Sequence, residues 1–304
     1  MFLLLVPLLA CDGEGETAEP ADSGGYDALY VGGYGACARD GPRYECQFLR
    51  AGVDYAQLGL PAEQGFDSLV LSAYVTCALT AGVPYCWGNT AFGATDAPST
   101  KFTQVGLGEH HGCGLDEQGE VTCWGTDHAG ETRPGEGPFT TLAVYTNDTC
   151  TIDPSGLLAC SGAFNAAYPP TVPLAGPWVM VSGGGGAACV LDPGGQPSCW
   201  GAHEAVNLPP ALARVKSLAV ASGAACALRS DDTLQCWGSD TPSLSPPAGT
   251  FRSLGAGGGF FCALSTAGKI SCWGCDEGSV GECEWGVIPG NVVDMSDLGE
   301  TKYP

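Results

Sequence analysis

From Phe102 the chain reads "FTQVGLG" and from Phe251 "FRSLGAG", with apolar side chains spaced by two or three positions among small and polar ones. That spacing is the mark of a short, half-buried β-strand. No stretch of the repeating part holds a convincing 3.6-residue period, so the pattern predicts an all-β chain. The strand-like stretch recurs at a fixed place, because eleven residues before a cysteine stand Tyr26, Phe66, Phe102, Phe139, Trp178, Val215 and Phe251.

The cysteines confirm the register. They pair as Cys37/Cys46, Cys77/Cys86, Cys113/Cys123, Cys150/Cys160, Cys189/Cys199, Cys226/Cys236 and Cys262/Cys272. First members lie 40, 36, 37, 39, 37 and 36 residues apart, so one supersecondary unit of about 37 residues is repeated seven times. Between the cysteines lie turns such as "DPSG" at 153–156, "DPGG" at 192–195 and "STAG" at 265–268. Asp opens such a turn, Pro presets φ near −65°, and Gly takes the positive φ of a bulge. "SDDT" at 230–233 lacks the glycine and predicts a less secure turn.

Residues opposite one another in a hairpin have Cα atoms about 4.5 to 5.5 Å apart, within disulfide reach. Each pair is therefore read as a staple across its own hairpin, contributing about 2 to 3 kcal/mol. Five pairs are ten residues apart and two are nine, which predicts one residue fewer in the first two loops. Of the other three cysteines, Cys275 and Cys283 make an eighth pair once Cys11 is set aside.

A tryptophan follows the second cysteine at Trp87, Trp124, Trp200, Trp237 and Trp273. Side chains alternate along a strand, so it faces away from its cysteine and is predicted to pack on the neighbouring unit. Gln47 and Ser161 replace it in the first and fourth copies, which are expected to be the loosest. Seven such units, read as four-stranded, are best buried by radial stacking in a seven-bladed β-propeller; a linear solenoid needs capping repeats, and none is evident. Residues 287–298 repeat the strand-like part without cysteines, so 26–304 is read as one ring closed by a C-terminal strand.

Composition bears on the compartment. Seventeen cysteines in a chain with 14% charged residues point to oxidised thiols and an exported protein. "MFLLLVPLLA", residues 1–10, reads as a signal segment too short to span a bilayer. Leu8-Leu9-Ala10-Cys11 resembles the lipobox of bacterial lipoproteins, which implies lipidation at Cys11, with residues 11–25 as lipid anchor and acidic tether. No Lys or Arg precedes the apolar run, which leaves open a start upstream of Met1. A net charge of −22, from 33 acids against 11 Lys and Arg, excludes a nucleic-acid partner and leaves the lipid anchor as the only membrane attachment.

The pattern from Phe102 to Gly125, F-x-x-V-x-x-G-x-x-H-x-C-x-L-x-x-x-G-x-V-x-C-W-G, resembles the regulator of chromosome condensation repeat. More closely, it is similar to the cysteine-rich version in secreted and lipid-anchored bacterial proteins. The resemblance covers residues 26 to about 298 and implies a propeller. It departs from the family in keeping the histidine before the cysteine only at His111, and in reducing the turn after Trp-Gly to "WGNTAFGATD" at 87–96. The family includes a nuclear nucleotide-exchange factor and a secreted inhibitor of β-lactamase, and the fold transmits neither function.

Candidate chemistry is sparse. "CWGC" at 272–275 has redox or zinc spacing, but Cys262 and Cys272 fill the same columns as six other pairs, so two adjacent structural disulfides are preferred. His110 and His111 point to opposite strand faces, and with His128 and His203 they complete the histidine set, so no metal or catalytic site is assigned. Asp276, Glu277, Glu282 and Glu284 read as a solvated acidic loop, and no cofactor is implied. The connector before each first cysteine does differ between copies. Copies five and six read "GGGGAA" and "SGAA", whereas the others offer Tyr34, Tyr74, His110, Tyr145, Asn147 and Phe260, candidates for a binding end. The resulting expectation is a monomeric, non-catalytic envelope lipoprotein, in the periplasm or at the cell surface, that binds an envelope or extracellular protein or glycan. The alternative is an exported hydrolase or lyase with its site at the axial mouth.

Overall fold

The computed structural model describes residues 25–48, 65–170, 175–212, 214–239, 244–274 and 293–294. Cys11, Cys275, Cys283 and the acids of the last loop lie outside the described residues, and so does the eighth disulfide expected between Cys275 and Cys283.

Seven antiparallel sheets follow one another along the chain. The first holds β1 (Ala28–Gly32), β2 (Gly35–Asp40) and β3 (Arg43–Phe48). The next are β4 (Ser68–Leu71), β5 (Val75–Thr80), β6 (Val83–Gly88), then β7 (Gln104–Leu107), β8 (His111–Leu115), β9 (Val121–Gly125), then β10 (Thr141–Tyr145), β11 (Asp148–Ile152), β12 (Leu158–Gly162). A short helix, α1 (Ala163–Ala167), follows the fourth sheet. The last three sheets are β13 (Met180–Gly184), β14 (Ala187–Leu191), β15 (Pro197–Gly201); β16 (Val215–Ala221), β17 (Ala224–Arg229), β18 (Leu234–Gly238); and β19 (Phe251–Ala256), β20 (Phe261–Ser265), β21 (Ile270–Trp273). β22 (Val293–Asp294) pairs with β3 as a fourth strand of the first sheet.

Among the described residues the other six sheets are three-stranded, not four-stranded as the repeat length suggests. After Trp-Gly the chain runs into turns rich in Gly and Pro, as in "TDHAGETRPGEGP" at 126–138, and proline brings no N–H to a ladder.

The first strand of each sheet packs on the first strand of the next, and β19 packs on β1, so seven inner strands form a closed ring. Inner strands come close enough that side chains must be small. A Cβ on Gly32 would stand 2.0 Å from the Leu71 carbonyl oxygen. One backbone hydrogen bond recurs between sheets: the N–H at the aromatic position donates to the turn carbonyl of the preceding hairpin. It joins Phe102 to Gly82 at 2.8 Å, Phe139 to Gly119 at 2.8 Å, Val215 to Gly195 at 3.0 Å and Phe251 to Asp232 at 2.7 Å. Tyr26 makes it to Gly268 at 3.0 Å, so the seventh repeat meets the first through the same contact that joins interior repeats.

Each of the seven hairpins carries a disulfide across its own two strands. The bridges are Cys37–Cys46, Cys77–Cys86, Cys113–Cys123, Cys150–Cys160, Cys189–Cys199, Cys226–Cys236 and Cys262–Cys272, with Cα atoms 4.0 to 4.1 Å apart. That is closer than the separation expected for facing residues in general. The cysteines stand three residues from the pair that closes the loop, Asp40–Arg43 and Thr80–Val83 in the first two hairpins and Asp116–Glu120 in the third. Counting from that hydrogen-bonded pair puts cysteine at a non-hydrogen-bonded position, where side chains approach most closely. Two-residue loops give the spacing of nine and three-residue loops the spacing of ten. The left-handed loop position is Gly119, Gly156, Gly195 and Gly268 in four hairpins and Asp232, at φ +68°, in the sixth.

In five of the seven bridges the two ends are not equivalent, although the spacing alone treats them alike. The first cysteine of every pair sits on the middle strand and is buried. Its partner sits on the third strand, further from the axis, where Cys86, Cys123, Cys160, Cys236 and Cys272 are only half-buried; Cys46 and Cys199 are buried.

Each tryptophan packs in one cluster with the disulfide of the preceding sheet. Trp87 joins Cys37 and Cys46, Trp124 joins Cys77 and Cys86, Trp200 joins Cys150 and Cys160, Trp237 joins Cys189 and Cys199, and Trp273 joins Cys226 and Cys236. The residue two before the preceding cysteine varies with the tryptophan. It is Gly35, Val75, Asp148, Ala187 or Ala224 where the next sheet has Trp, and Phe260 or His111 where the next sheet has Gln47 or Ser161. Phe260 packs on Ala36, which pairs across the strands with Gln47. His111 Nε2 lies 3.0 Å from Thr149 Oγ1, and Thr149 pairs with Ser161. The two units expected to be loose are thus filled from the neighbouring repeat.

Candidate interaction surface

The strands running inward-to-outward leave all first connectors at one end of the ring, around an axial cavity of about 250 Å³. All seven inner strands line it, among them Val31, Leu71, Val144 and Val220, and Glu109 contributes its one carboxylate among the described residues. Val31, Val70, Val144 and Val220 form the aliphatic part of a lining that also holds Ser72, Glu109, Thr146 and many glycines.

The connector candidates fall into two groups. Tyr145 and Phe260 are buried. Tyr145 lies over Gly183, where a Cβ would meet its ring at 2.4 Å, and its hydroxyl is 3.1 Å from Cys150 Sγ. Both residues serve packing. Tyr34, Tyr74, His110 and Asn147 are half-buried. Tyr34 stands over the seventh connector, where the Gly258 N–H donates to the Gly33 carbonyl at 2.7 Å.

Tyr74 and His110 come together with two residues that sequence reading did not select. The Tyr74 and His110 rings stack with centroids 5.9 Å apart, Phe92 meets His110 edge-on at 4.0 Å, and His128 lies perpendicular to His110 at 6.3 Å. Phe92 is 38% exposed. These rings come from the connectors and outer turns of the second and third sheets, and hydrogen bonds hold them. Asn89 N–H donates to the Tyr74 carbonyl, Thr126 N–H to the His110 carbonyl, and the Thr126 hydroxyl to the Phe92 carbonyl, at 2.9, 2.9 and 3.0 Å. Glu131 is fully buried beneath and accepts the N–H groups of His128 and Ala129 at 2.9 and 2.6 Å. Burial works to raise its carboxyl, and those two N–H donors outweigh it, so it stays below the usual carboxylate range.

Buried polar groups lie on both faces of the fourth sheet, His111 at its seam with the third and Asp148 with Asn165 on the face toward the fifth. His111 is fully buried, and desolvation holds its imidazole down to about 4, against an opposing pull from Glu131. Asp148, also fully buried, accepts the N–H of Asn165 at 3.0 Å and of Phe164 at 3.3 Å, and burial pushes its carboxyl up to about 6. Asn165 also accepts the Trp200 indole N–H at 3.3 Å. These groups are buried and hold the interfaces of the fourth sheet with its two neighbours. No group of three or more His, Cys, Asp or Glu placed to hold a metal ion occurs among the described residues.

Residues 102–131 match the family model described as the regulator of chromosome condensation (RCC1) repeat. The whole fold is similar to that of Prp20p from Saccharomyces cerevisiae, a protein that binds Gsp1p and histones, with a TM-score of 0.63 at 15% identity over 82% of this chain and 83% of that one. The fold is a seven-bladed propeller, and one of its repeats, residues 102–131, matches the RCC1 repeat. Ectodomains share this fold as well. The CRINKLY WD40 ectodomain of the Arabidopsis thaliana receptor kinase ACR4 matches with a TM-score of 0.65 at 24% identity, over 81% of this chain and 93% of that one. The ectodomain of the Physcomitrella patens receptor kinase CR4 matches at 0.66 and 20%, over 82% and 73%. Among curated proteins none matches the sequence. The seven disulfides fit this propeller to an oxidising compartment, and no described helix is long and apolar enough to cross a membrane.

Proposed function

We propose that this RCC1-repeat propeller is a lipid-anchored protein of the bacterial cell envelope that binds a partner protein through its connector end and catalyses no reaction. The observation that carries the reading is the gathering of Tyr74, Phe92, His110 and His128 into one solvent-facing patch beside the axial mouth. Aromatic side chains left half-exposed on a rigid support are the usual anchors of a protein interface. Protein binding by Prp20p, a relative in fold, supports the class of function without naming the partner. Attachment rests on Leu8-Leu9-Ala10-Cys11 followed by an acidic spacer, and a monomer on a lipid tether suffices for this role.

Two measurements test it. Cys11→Ser should release the protein from membranes with its fold intact; a variant that stays membrane-bound removes the lipoprotein part. Affinity capture from envelope extracts should recover a protein that the wild type retains and a Tyr74→Ala, His110→Ala double variant loses. Equal retention by both would move the binding surface elsewhere.

A further inference from the structure

We propose that Tyr74, Phe92, His110 and His128 form the seat for an arginine-bearing segment of the partner protein, an assignment that rests on the connector end being the binding surface. Three observations point to that occupant. Four rings from two sheets form one patch, and the faces of Tyr and Phe attract a cation through the ring quadrupole. A planar guanidinium stacks on such rings, including imidazole, better than a compact ammonium does.

The charge balance selects the same partner. With 33 acids against 11 Lys and Arg, the chain attracts a cationic segment and repels an acidic one. Arg39, Arg133, Lys216 and Arg229 are each engaged by an aspartate, and the net charge of −22 remains after every Lys and Arg is counted. At the patch itself Glu109 and Asp127 flank His110 and His128 in sequence, and Asp127 already holds one guanidinium, that of Arg133, at 2.6 Å. No hydrogen bond within the described residues occupies a ring nitrogen of His110 or His128.

The patch is also built to receive a ligand without rearrangement. Its backbone is tied down from both sheets and from buried Glu131, so little conformational freedom remains to be lost on binding.

The test uses the full chain and three labelled peptides of equal length, Gly-Arg-Gly-Arg-Gly, Gly-Lys-Gly-Lys-Gly and Gly-Glu-Gly-Glu-Gly, with chitotetraose as a glycan probe. Affinity is read by fluorescence anisotropy for the peptides and by calorimetry for the glycan, and NMR follows the His110 and His128 ring signals. The expected result is that the arginine peptide binds about three- to tenfold tighter than the lysine peptide, with both imidazole signals shifting. Phe92→Ala and His128→Ala, at exposed positions that do not carry the fold, should each weaken it about three- to tenfold, while Tyr85→Ala on the outer strand β6 leaves it unchanged. Equal binding of the lysine and arginine peptides, indifference to the patch variants, or a preference for chitotetraose overturns the proposal. If the envelope partner is still lost from a Tyr34→Ala, Asn147→Ala variant while the patch variants retain it, the connector end stands as the binding surface and the arginine seat falls.

Discussion

The interface between the fifth and sixth sheets and the one between the third and fourth occupy the same place in the ring and are built differently. In the first, Trp237 and Val215 join Cys189, Cys199, Ala187 and Leu218 in an apolar cluster, with the indole N–H donated to the Val206 carbonyl at 2.9 Å. In the second, Ser161 stands where tryptophan would, and His111 reaches across to Thr149. One seam is held by apolar burial, the other by a desolvated imidazole and hydroxyl that depend on each other. The difference shows that the repeat keeps the volume of the seam rather than the residue that fills it.

The largest expected effect is at the apolar seam. Trp237→Ala should cost about 3 to 5 kcal/mol in denaturant unfolding, the range for emptying a buried aromatic site. A cost below about 1 kcal/mol would mean that the seam relaxes and that the contrast with the third and fourth sheets is overdrawn.

The two faces of the fourth sheet should instead respond to pH, through His111 at the seam with the third sheet and Asp148 toward the fifth. The folded His111 sits below its unfolded value of 6.5, so its stability is fully present above pH 6.5 and is lost as pH falls to about 4. Asp148 is raised from 3.8 to about 6, so its stability is present below pH 3.8 and is lost as pH rises through about 6. The two cancel between about pH 4 and 6. Asp148→Asn should uncover the histidine, giving a loss of about 3 kcal/mol relative to wild type on acidification across that window. His111→Phe should uncover the aspartate, giving the opposite slope. Parallel pH profiles for the three proteins would show that neither group titrates as its burial implies.

A smaller effect tests the exchange of volume directly. Ser161→Trp alone should overpack against His111 and cost about 1 to 3 kcal/mol, and adding His111→Ala should recover most of it. Additive costs in the double-mutant cycle would separate the two positions. The smallest effect is at the sixth hairpin. Asp232→Gly relieves a left-handed residue at φ +68° and should gain a few tenths of a kcal/mol, because it also gives up the exposed ion pair with Lys216.

The hairpins were legible in the sequence because their interactions are local. A cysteine meets its partner nine or ten residues on, so spacing, loop length and strand parity settle the bridge without reference to the rest of the chain. How deep each end of the bridge lies was not legible, because on the same third strand Cys86, Cys123, Cys160, Cys236 and Cys272 are half-buried while Cys46, covered by β22, and Cys199 are buried, so depth depends on what packs over each strand. The missing glycine at 230–233 was visible from the sequence, and Asp232 takes the left-handed position that glycine holds elsewhere. The fourth strand that the repeat length predicts is found among the described residues only in the first sheet; elsewhere the length after Trp-Gly goes into turns such as the Gly- and Pro-rich 126–138. The candidate site was half legible: Tyr74 and His110 were found from the connectors, whereas Phe92 and His128 sit in turns with no repeat signal, and only the fold brings them to His110. Tyr145 and Phe260, from the same connectors, turned inward to packing roles.

By itself, then, the sequence determined the number of repeats, the cysteine pairing and the two loop lengths, all of them properties of one hairpin. Only the tertiary structure decided how one repeat meets the next. The Thr149 that binds His111 lies 38 residues on, and the Gly268 carbonyl that accepts the Tyr26 N–H is most of the chain away. A periodic pattern reports which side of a strand is apolar. Which residue of the next sheet faces it is set when the ring closes and brings neighbouring faces into contact, and there His111 and Phe260 take the space that Ser161 and Gln47 leave.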